Sequence, residues 1–253
     1  EKSAIIRNAH AVNTGRPPEL KNTQNDFFFL CRRAPDRLVQ TVVELCQQRL
    51  PDNMGIPADQ IQVLSPTRKG VCGTVNLNRA LQAALNPPAA GKHQKPWGDM
   101  VFREGDRVMQ TRNNYDVVWE KDDGSMGAGI FNGDVGVIRE IDPSGELITI
   151  QFDDRTCVYT ADLLNQLDMA YAMTVHKAQG SEYRCVVLVS AAVAPALMVR
   201  GVLYTAITRA RELLVLVGDD VAPGQMAAND KQQRRYSGLR RRLREEAMSH
   251  GLQ

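Results

Sequence analysis

The chain has 253 residues, of which 43% are hydrophobic and 24% are charged, and its formal net charge is only +2. These values are typical of a soluble globular protein with room for two modest domains, or one domain with an insertion. They exclude a chain that is basic throughout, so any nucleic-acid site must be a local patch. No apolar run approaches the roughly 18 residues of a membrane helix, so we expect no membrane partner.

Five cysteines without a Cys-x-x-Cys pair indicate reduced thiols, and their spacing predicts no metal site. The first residues, Glu1–Ser3, contain neither an initiator Met nor a signal-peptide pattern. We therefore expect the chain to be cut from a longer polypeptide.

The first third of the chain predicts strands and helices in alternation, separated by a loop at Pro51–Pro57. This order is typical of a parallel α/β sheet. The predicted elements are a strand at Asp26–Cys31, a helix from Pro35 to Leu50, a strand at Ile61–Leu64 and a helix at Thr74–Leu85.

The composition then changes. Ala89–Gly98 is rich in Pro, Gly and Lys and is predicted to be a linker, and short strands separated by turns follow in Val101–Leu167. These predict a small antiparallel barrel. The strands expected there are Arg107–Gln110, Gly136–Ile141, Leu147–Phe152 and Cys157–Tyr159.

The α/β pattern returns after Leu167, with buried strands at Val186–Val189 and Leu213–Val217 and a helix at Leu197–Arg211. The barrel is therefore predicted to be inserted within the α/β domain.

A first polar block, Thr174–Glu182 (TVHKAQGSE), lies between two predicted strands. Thr174 is a plausible N-cap of a short helix whose free N–H groups suit a phosphate. Gly180 would end that helix, and Glu182 could accept hydrogen bonds from ribose hydroxyls. The alternative is a capped helix with a solvated lysine and a satisfied histidine. The further candidate donors in this block are His176 and Lys177.

A second block, Tyr204–Arg211 (YTAITRAR), places Arg209 in a predicted apolar helix. An arginine there must pair with a carboxylate or face a cleft. A guanidinium on a γ-phosphate stabilises the charge of phosphoryl transfer, which is the role of an arginine finger. The alternative is an ion pair with Glu212 or Glu182.

The two blocks resemble motifs V and VI of superfamily 1 helicases, in the form used by RecD-like DNA helicases. The segment LSPTRKG at residues 64–70 is similar to another block of that family. The segments GDRVMQ at 105–110 and FNGDVG at 131–136 resemble its inserted SH3-like domain. The resemblance covers nearly the whole chain.

The resemblance implies an α/β fold: a RecA-like parallel-sheet domain of the P-loop NTPase type that lacks the P-loop, with a small SH3-like β-barrel inserted. It places the second RecA-like motor domain at residues 1–98 and 168–220, the SH3-like domain at 99–167 and a basic tail at 221–253. In the family, ATP hydrolysis between two RecA-like domains drives 5′-to-3′ movement on single-stranded DNA in the bacterial cytosol or nucleoid.

By position, the resemblance assigns Gly180 and Glu182 to the nucleotide and Arg209 to its γ-phosphate as the catalytic residue. The residues that it assigns to DNA are Thr67, Arg68, Lys69, Thr174, His176 and Lys177.

The sequence contains no G-x-x-x-x-G-K-[ST] loop and no Asp-Glu box for magnesium. ATP and Mg²⁺ would therefore be bound mainly by an N-terminal RecA-like domain that this chain lacks, and the chain alone should not hydrolyse ATP. The alternative is a nucleic-acid or protein adaptor that has the helicase fold without its catalysis.

Overall fold

The computed structural model describes residues 3–22, 25–191 and 193–231. Its strands, in chain order, are β1 (Phe27–Cys31), β2 (Ile61–Ser65), β3 (Gln94–Trp97), β4 (Met100–Arg103), β5 (Arg107–Gln110), β6 (Asn114–Glu120), β7 (Met126–Ile130), β8 (Val135–Ile141), β9 (Leu147–Phe152), β10 (Arg155–Thr160), β11 (Leu167–Met169), β12 (Ala172–Thr174), β13 (Tyr183–Ser190) and β14 (Ala210–Gly218). Its α-helices are α1 (Ala4–Asn13), α2 (Pro35–Glu44), α3 (Leu50–Met54), α4 (Thr74–Leu85), α5 (Arg200–Ile207) and α6 (Ala222–Ala228). A π-helical turn spans Leu45–Arg49, and short 3₁₀ turns span Ala58–Gln60, Ala161–Gln166 and Pro195–Leu197.

A five-stranded parallel sheet, in the order β1-β14-β13-β2-β12, confirms the predicted parallel α/β architecture. Successive residues of its central strands point to opposite faces and are buried on both. Val187 and Val215 pack with α2 and α4 on one face. Val186 and Leu214 pack with α1, α5 and α6 on the other. The sheet is thus a middle layer between two layers of helices.

Two predicted boundaries in this layer are wrong. The helix that begins at Pro35 continues through the π-helical turn and α3 to Met54, although Pro51 suggested a loop. Proline is tolerated at the start of that last helical segment, and Gly55 ends it with a left-handed φ of 62°. The helix predicted at Leu197–Arg211 is only α5, because Ala210 already belongs to β14.

The inserted region forms a seven-stranded antiparallel sheet in the order β11-β5-β8-β9-β10-β6-β7. All four strands expected there are present, with small shifts of their ends. The pattern missed β6 and β7, and the predicted linker contains β3, which pairs with β4. In β7, Gly127 lies against the ring of Trp119, where a Cβ would collide with the ring. A strand with two glycines (MGAGI) packs through its neighbour's side chain and has little hydrophobic alternation of its own.

A buried carboxylate joins the two regions. Asp106 is 0% exposed and accepts hydrogen bonds from Gln82 Nε2 (2.6 Å) and Asn86 Nδ2 (2.7 Å) of α4. It also accepts from the backbone N–H of Arg103 (2.7 Å) and from the hydroxyl of Tyr171 (2.9 Å). Burial raises the pKa of Asp106, and these four donors oppose that rise. The network ties the turn between β4 and β5 to the C-terminal end of α4 and to the link between β11 and β12.

Four sequence-based expectations concern membrane helices, metal ligands, the cysteines and the C-terminal tail. No helix in the described ranges is long and apolar enough to cross a membrane. Nor do the described residues group three His, Cys, Asp or Glu side chains as metal ligands. Cys31 is an exposed free thiol, and the other four cysteines are free and buried. The described part of the predicted tail includes α6, and its arginine-rich part, from residue 232 onward, lies outside the described residues.

Candidate nucleotide and nucleic-acid interface

The two polar blocks meet at the edge of the parallel sheet where β13 and β14 begin. Tyr183 and Ala210 are register partners, and the backbone N–H of Tyr183 donates to the carbonyl of Arg209 (2.8 Å). Because the strands are parallel neighbours, the residues just before them lie side by side. The structure therefore brings Gly180, Glu182 and Arg209 to one edge.

Arg209 follows the end of α5 instead of lying within a helix, since Thr208 is the C-cap. Its guanidinium is held by three neutral oxygens: Nη1 donates to Ser181 O (2.9 Å), Nε to Thr205 O (3.1 Å) and Nη2 to Thr208 Oγ1 (3.2 Å). The side chain is thereby fixed in direction by its own domain while it stays partly exposed.

The alternative of an ion pair at Arg209 is wrong for the described residues. Glu212 pairs with Arg184 (2.7 Å), and no described carboxylate, including that of Glu182, forms an ion pair with Arg209. A half-exposed guanidinium whose partners are all neutral keeps its positive charge available for an anion.

Gly180 and Glu182 are both exposed at the edge of the sheet that carries Arg209. Gly180 has a φ of +87°, and a Cβ placed on it would meet no atom within 4 Å. The glycine is thus required by backbone conformation. Glu182 is exposed, so its carboxylate can reach a ligand.

The short helix predicted after Thr174 is not present. Thr174 is the last residue of β12, and residues 175–180 form successive turns, with a single α-helical (i to i−4) hydrogen bond from Ala178 N to Thr174 O (3.2 Å). Buried Val175 and Ala178 anchor these turns, and His176 between them is exposed. The N-cap role of Thr174 is therefore wrong, although its position at the carboxyl edge of the sheet is as expected.

The side chains assigned to DNA do not form one cluster. Arg68, Thr174 and Lys177 line a cavity of 510 Å³ between α4, β12 and the inserted region. His176 lines a different cavity of 460 Å³, beside α5. The remaining two, Thr67 and Lys69, lie on the loop between β2 and α4, where Thr67 O accepts from Thr74 N (3.0 Å).

Two of these cations contact the inserted region. Lys177 Nζ donates to Asn132 Oδ1 (2.7 Å) in the turn between β7 and β8. Arg68 Nη1 forms an ion pair with Asp168 of β11 (3.2 Å). The contacts link the first polar block and the neighbouring loop directly to the seven-stranded sheet.

Sequence reasoning missed Arg79 and Asp168, which line the same cavity as Arg68. Arg79 is exposed on α4, one turn after Val75 and on the same face of the helix, so helical spacing could have found it. Asp168 carries no local signal, because only the pairing of β11 with β5 brings it opposite Arg68.

Two family models match the chain. Residues 77–152 match the SH3 domain of ATP-dependent RecD-like DNA helicases, and residues 169–217 match the UvrD-like helicase C-terminal domain. The matched stretches are thus an SH3 domain of the RecD-like helicase type and a UvrD-like helicase C-terminal domain.

The chain corresponds to the C-terminal part of RecD-like DNA helicases. It is 32% identical over 243 residues to the ATP-dependent RecD2 DNA helicase of Deinococcus radiodurans, covering 96% of this chain and 30% of that protein. It is 31% identical over 185 residues to the RecBCD enzyme subunit RecD of Mycobacterium tuberculosis strain H37Rv, covering 73% of this chain and 29% of that protein. The chain thus spans about 30% of the length of these relatives.

Solved helicase structures are also similar to the chain. The Pif1 helicase from Bacteroides in complex with ADP-AlF3 and ssDNA has a TM-score of 0.48 at 14% identity, covering 99% of this chain and 55% of that one. The Pif1 helicase from Candida albicans has a TM-score of 0.47 at 14% identity, covering 97% and 58%.

Proposed function

We propose that the chain is the second motor domain of an ATP-dependent 5′-to-3′ DNA helicase. It supplies Arg209 to a nucleotide that is bound mainly by another RecA-like domain of the same polypeptide, and it contributes part of a track for single-stranded DNA. The observation that carries this proposal is Arg209 itself, which neutral oxygens hold beside the open backbone at Gly180.

The residues at this edge fit a nucleoside triphosphate. Arg209 offers an uncompensated positive charge to a terminal phosphate, and Gly180 lets a phosphate approach the backbone closely. Glu182 is exposed and can accept hydrogen bonds from ribose hydroxyls. ATP bound between the two domains would supply the phosphoryl group whose transfer to water drives movement, with Mg²⁺ held by the other domain.

The proposed DNA track lies at the opposite edge of the sheet, where β2 and β12 end at Ser65 and Thr174. The side chains proposed to contact the strand are Thr67, Arg68, Lys69, Thr174, His176 and Lys177. Since the two functions occupy opposite edges of one sheet, a shift of the domain on the nucleotide would move the track with it. We expect the protein to work in the bacterial cytosol or nucleoid, where its DNA substrate is.

The test compares the chain alone with a longer polypeptide that includes the sequence encoded upstream. We expect no ATP hydrolysis from the chain alone and DNA-stimulated hydrolysis from the longer protein, because only the latter would hold a phosphate-binding loop. If the upstream sequence has no such loop and the longer protein binds DNA without hydrolysing ATP, the adaptor alternative replaces this proposal.

A further inference from the structure

The cavity beside Arg68 has an apolar floor, although it lies next to the proposed track for single-stranded DNA. Four of the chain's nine methionines line it. They come from four strands: Met100 from β4, Met109 from β5, Met169 from β11 and Met173 from β12. The β3-β4 pair, the seven-stranded sheet and the parallel sheet thus build the floor together.

Methionine is suited to contact a flat ring of varying shape. Its side chain is unbranched and flexible, and its polarizable sulfur makes favourable contacts with aromatic systems. Met109, Met169 and Met173 are at most 7% exposed, so they are held in place by the surrounding core. The floor offers an apolar, adaptable surface with little demand for particular hydrogen bonds.

The rim of the same cavity favours an anion. Four cationic side chains line the cavity, Arg68, Arg79, Arg103 and Lys177, against two acidic ones, Asp99 and Asp168. Of these cations Arg103 is buried, and its guanidinium donates to Gln94 Oε1 and Asn86 O. The excess of two positive charges in this one cavity equals the net charge of the entire chain, +2. Arg68 and Arg79 are exposed, so their guanidinium groups can meet a ligand at the entrance.

The amide side chains that line the cavity, Asn78 and Gln82, form hydrogen bonds within the protein and are not available to bind a ligand. Asn78 Nδ2 donates to Ala172 O (2.8 Å), and its Oδ1 accepts from Ala172 N (2.7 Å). Gln82 Nε2 is bound to Asp106 and to Val101 O. A ligand here would therefore be recognised by its charge and its apolar faces.

We propose that this cleft accepts one unstacked nucleobase of a single strand whose phosphates run along the cationic rim. This inference rests on the proposed function and adds a base-binding site to it. The volume of 510 Å³ lies in the range of small-molecule pockets and is ample for one base. Because every base has a π-face, contact with the methionine floor would not depend on sequence.

The methionines themselves provide the readout. The chain is labelled with ¹³C at its methionine methyl groups and titrated with an oligothymidylate, and then with an oligomer of equal length that lacks all bases. We expect the thymidylate to shift the signals of the four cleft methionines, and the abasic oligomer to leave them nearly unchanged. Met54 and Met126 are exposed and do not line this cavity, so their signals should not move with either oligomer.

Affinity provides the second measurement. The chain should bind the thymidylate about 2- to 10-fold more tightly than the abasic oligomer, the effect of a sulfur–ring contact. Met100→Ala, at a half-buried floor position, should bring this ratio towards one. Arg79→Ala should weaken both oligomers alike, and Met126→Ala should change neither.

The outcomes separate the base site from the proposed function. Equal affinity for both oligomers, with no methyl shifts, would overturn the base site and leave DNA binding intact. Failure to bind either oligomer would overturn both. If the cleft methionine signals of the DNA-free longer polypeptide differed from those of the isolated chain, a segment of the protein itself would occupy the cleft. That result would also overturn the base site.

Discussion

The two proposed ligand regions hold their cations in different ways. Arg209 is bound by oxygens of its own domain, all of them neutral. In the cleft, Arg68 and Lys177 are instead bound by Asp168 and Asn132 of the inserted region. Arg209 therefore keeps its charge and its direction, whereas Arg68 must exchange its carboxylate partner to bind a phosphate. Lys177 has a neutral partner, as Arg209 does, but that partner belongs to the inserted region. The first region is thus fixed in advance, and the second depends on the position of the inserted sheet.

Replacing Arg209 should have the largest effect. In the longer polypeptide we expect Arg209→Ala to lower the DNA-stimulated rate of ATP hydrolysis about 10³-fold or more, the usual range for an arginine finger. Arg209→Lys should recover little of this rate, because an ammonium cannot reproduce the three-fold fork of hydrogen bonds. Steady-state hydrolysis with saturating single-stranded DNA measures both.

Arg211→Ala is the matched control for this substitution. Arg211 lies two residues along β14 and is exposed, and its replacement should leave hydrolysis nearly unchanged. An Arg209→Ala protein with close to parental turnover would show that the fixed guanidinium is structural, and the contrast between the two regions would disappear.

The next largest effect concerns Asp106, whose hydrogen bonds join the inserted region to α4 beside the cleft. Asp106→Asn would place an amide N–H₂ opposite groups that donate to the carboxylate, so we expect a loss of about 1–3 kcal/mol in the free energy of unfolding. Chemical denaturation of the isolated chain measures this loss. Asp116→Asn, at an exposed position of β6, should cost almost nothing.

The loss should also depend on pH. Burial raises the folded-state pKa of Asp106 above its ordinary value of 3.8, so protonation favours the folded state. Its stabilising contribution is full below pH 3.8 and falls as pH rises through the folded-state pKa. The difference in stability between the parent and Asp106→Asn should therefore shrink from acid towards neutral pH. A difference that grew over this range would contradict the raised pKa.

Substitution of Gly180 separates the conformational cost of its left-handed backbone from its role in the proposed nucleotide site. Gly180→Ala should cost roughly 1–2 kcal/mol in the free energy of unfolding, because alanine disfavours a φ of +87°. Gly70 has the same φ and equally open surroundings, so Gly70→Ala should cost the same. In the longer polypeptide only Gly180→Ala should also raise the KM for ATP. Equal KM values for the two variants would remove Gly180 from the nucleotide site.

The parallel sheet was predictable because its strands are buried on both faces and therefore appear as apolar runs, such as Val186–Val189. β7 was not, since its Gly127 leaves the packing to Trp119 of the neighbouring strand β6. The motif residues around Arg209 could be named from local sequence, but not the neutral oxygens that hold it. The cleft depends on Asp168 and on methionines from four strands, which come together only through the pairing of distant segments.

Arg68 should show the smallest effect and tests the second region most directly. Its ion pair with Asp168 is largely exposed, with the Arg68 side chain 62% accessible, and such pairs contribute little to stability. Arg68→Ala should therefore leave the unfolding free energy almost unchanged but reduce the slope of log affinity for single-stranded DNA against log salt by about 0.7, one phosphate contact. Asp168→Asn should act in the opposite direction, because it frees the guanidinium and removes a negative charge from the rim. If Asp168→Asn weakened DNA binding as Arg68→Ala does, the pair itself would be needed to hold the cleft open, and Arg68 would be a positioning residue without a phosphate contact of its own.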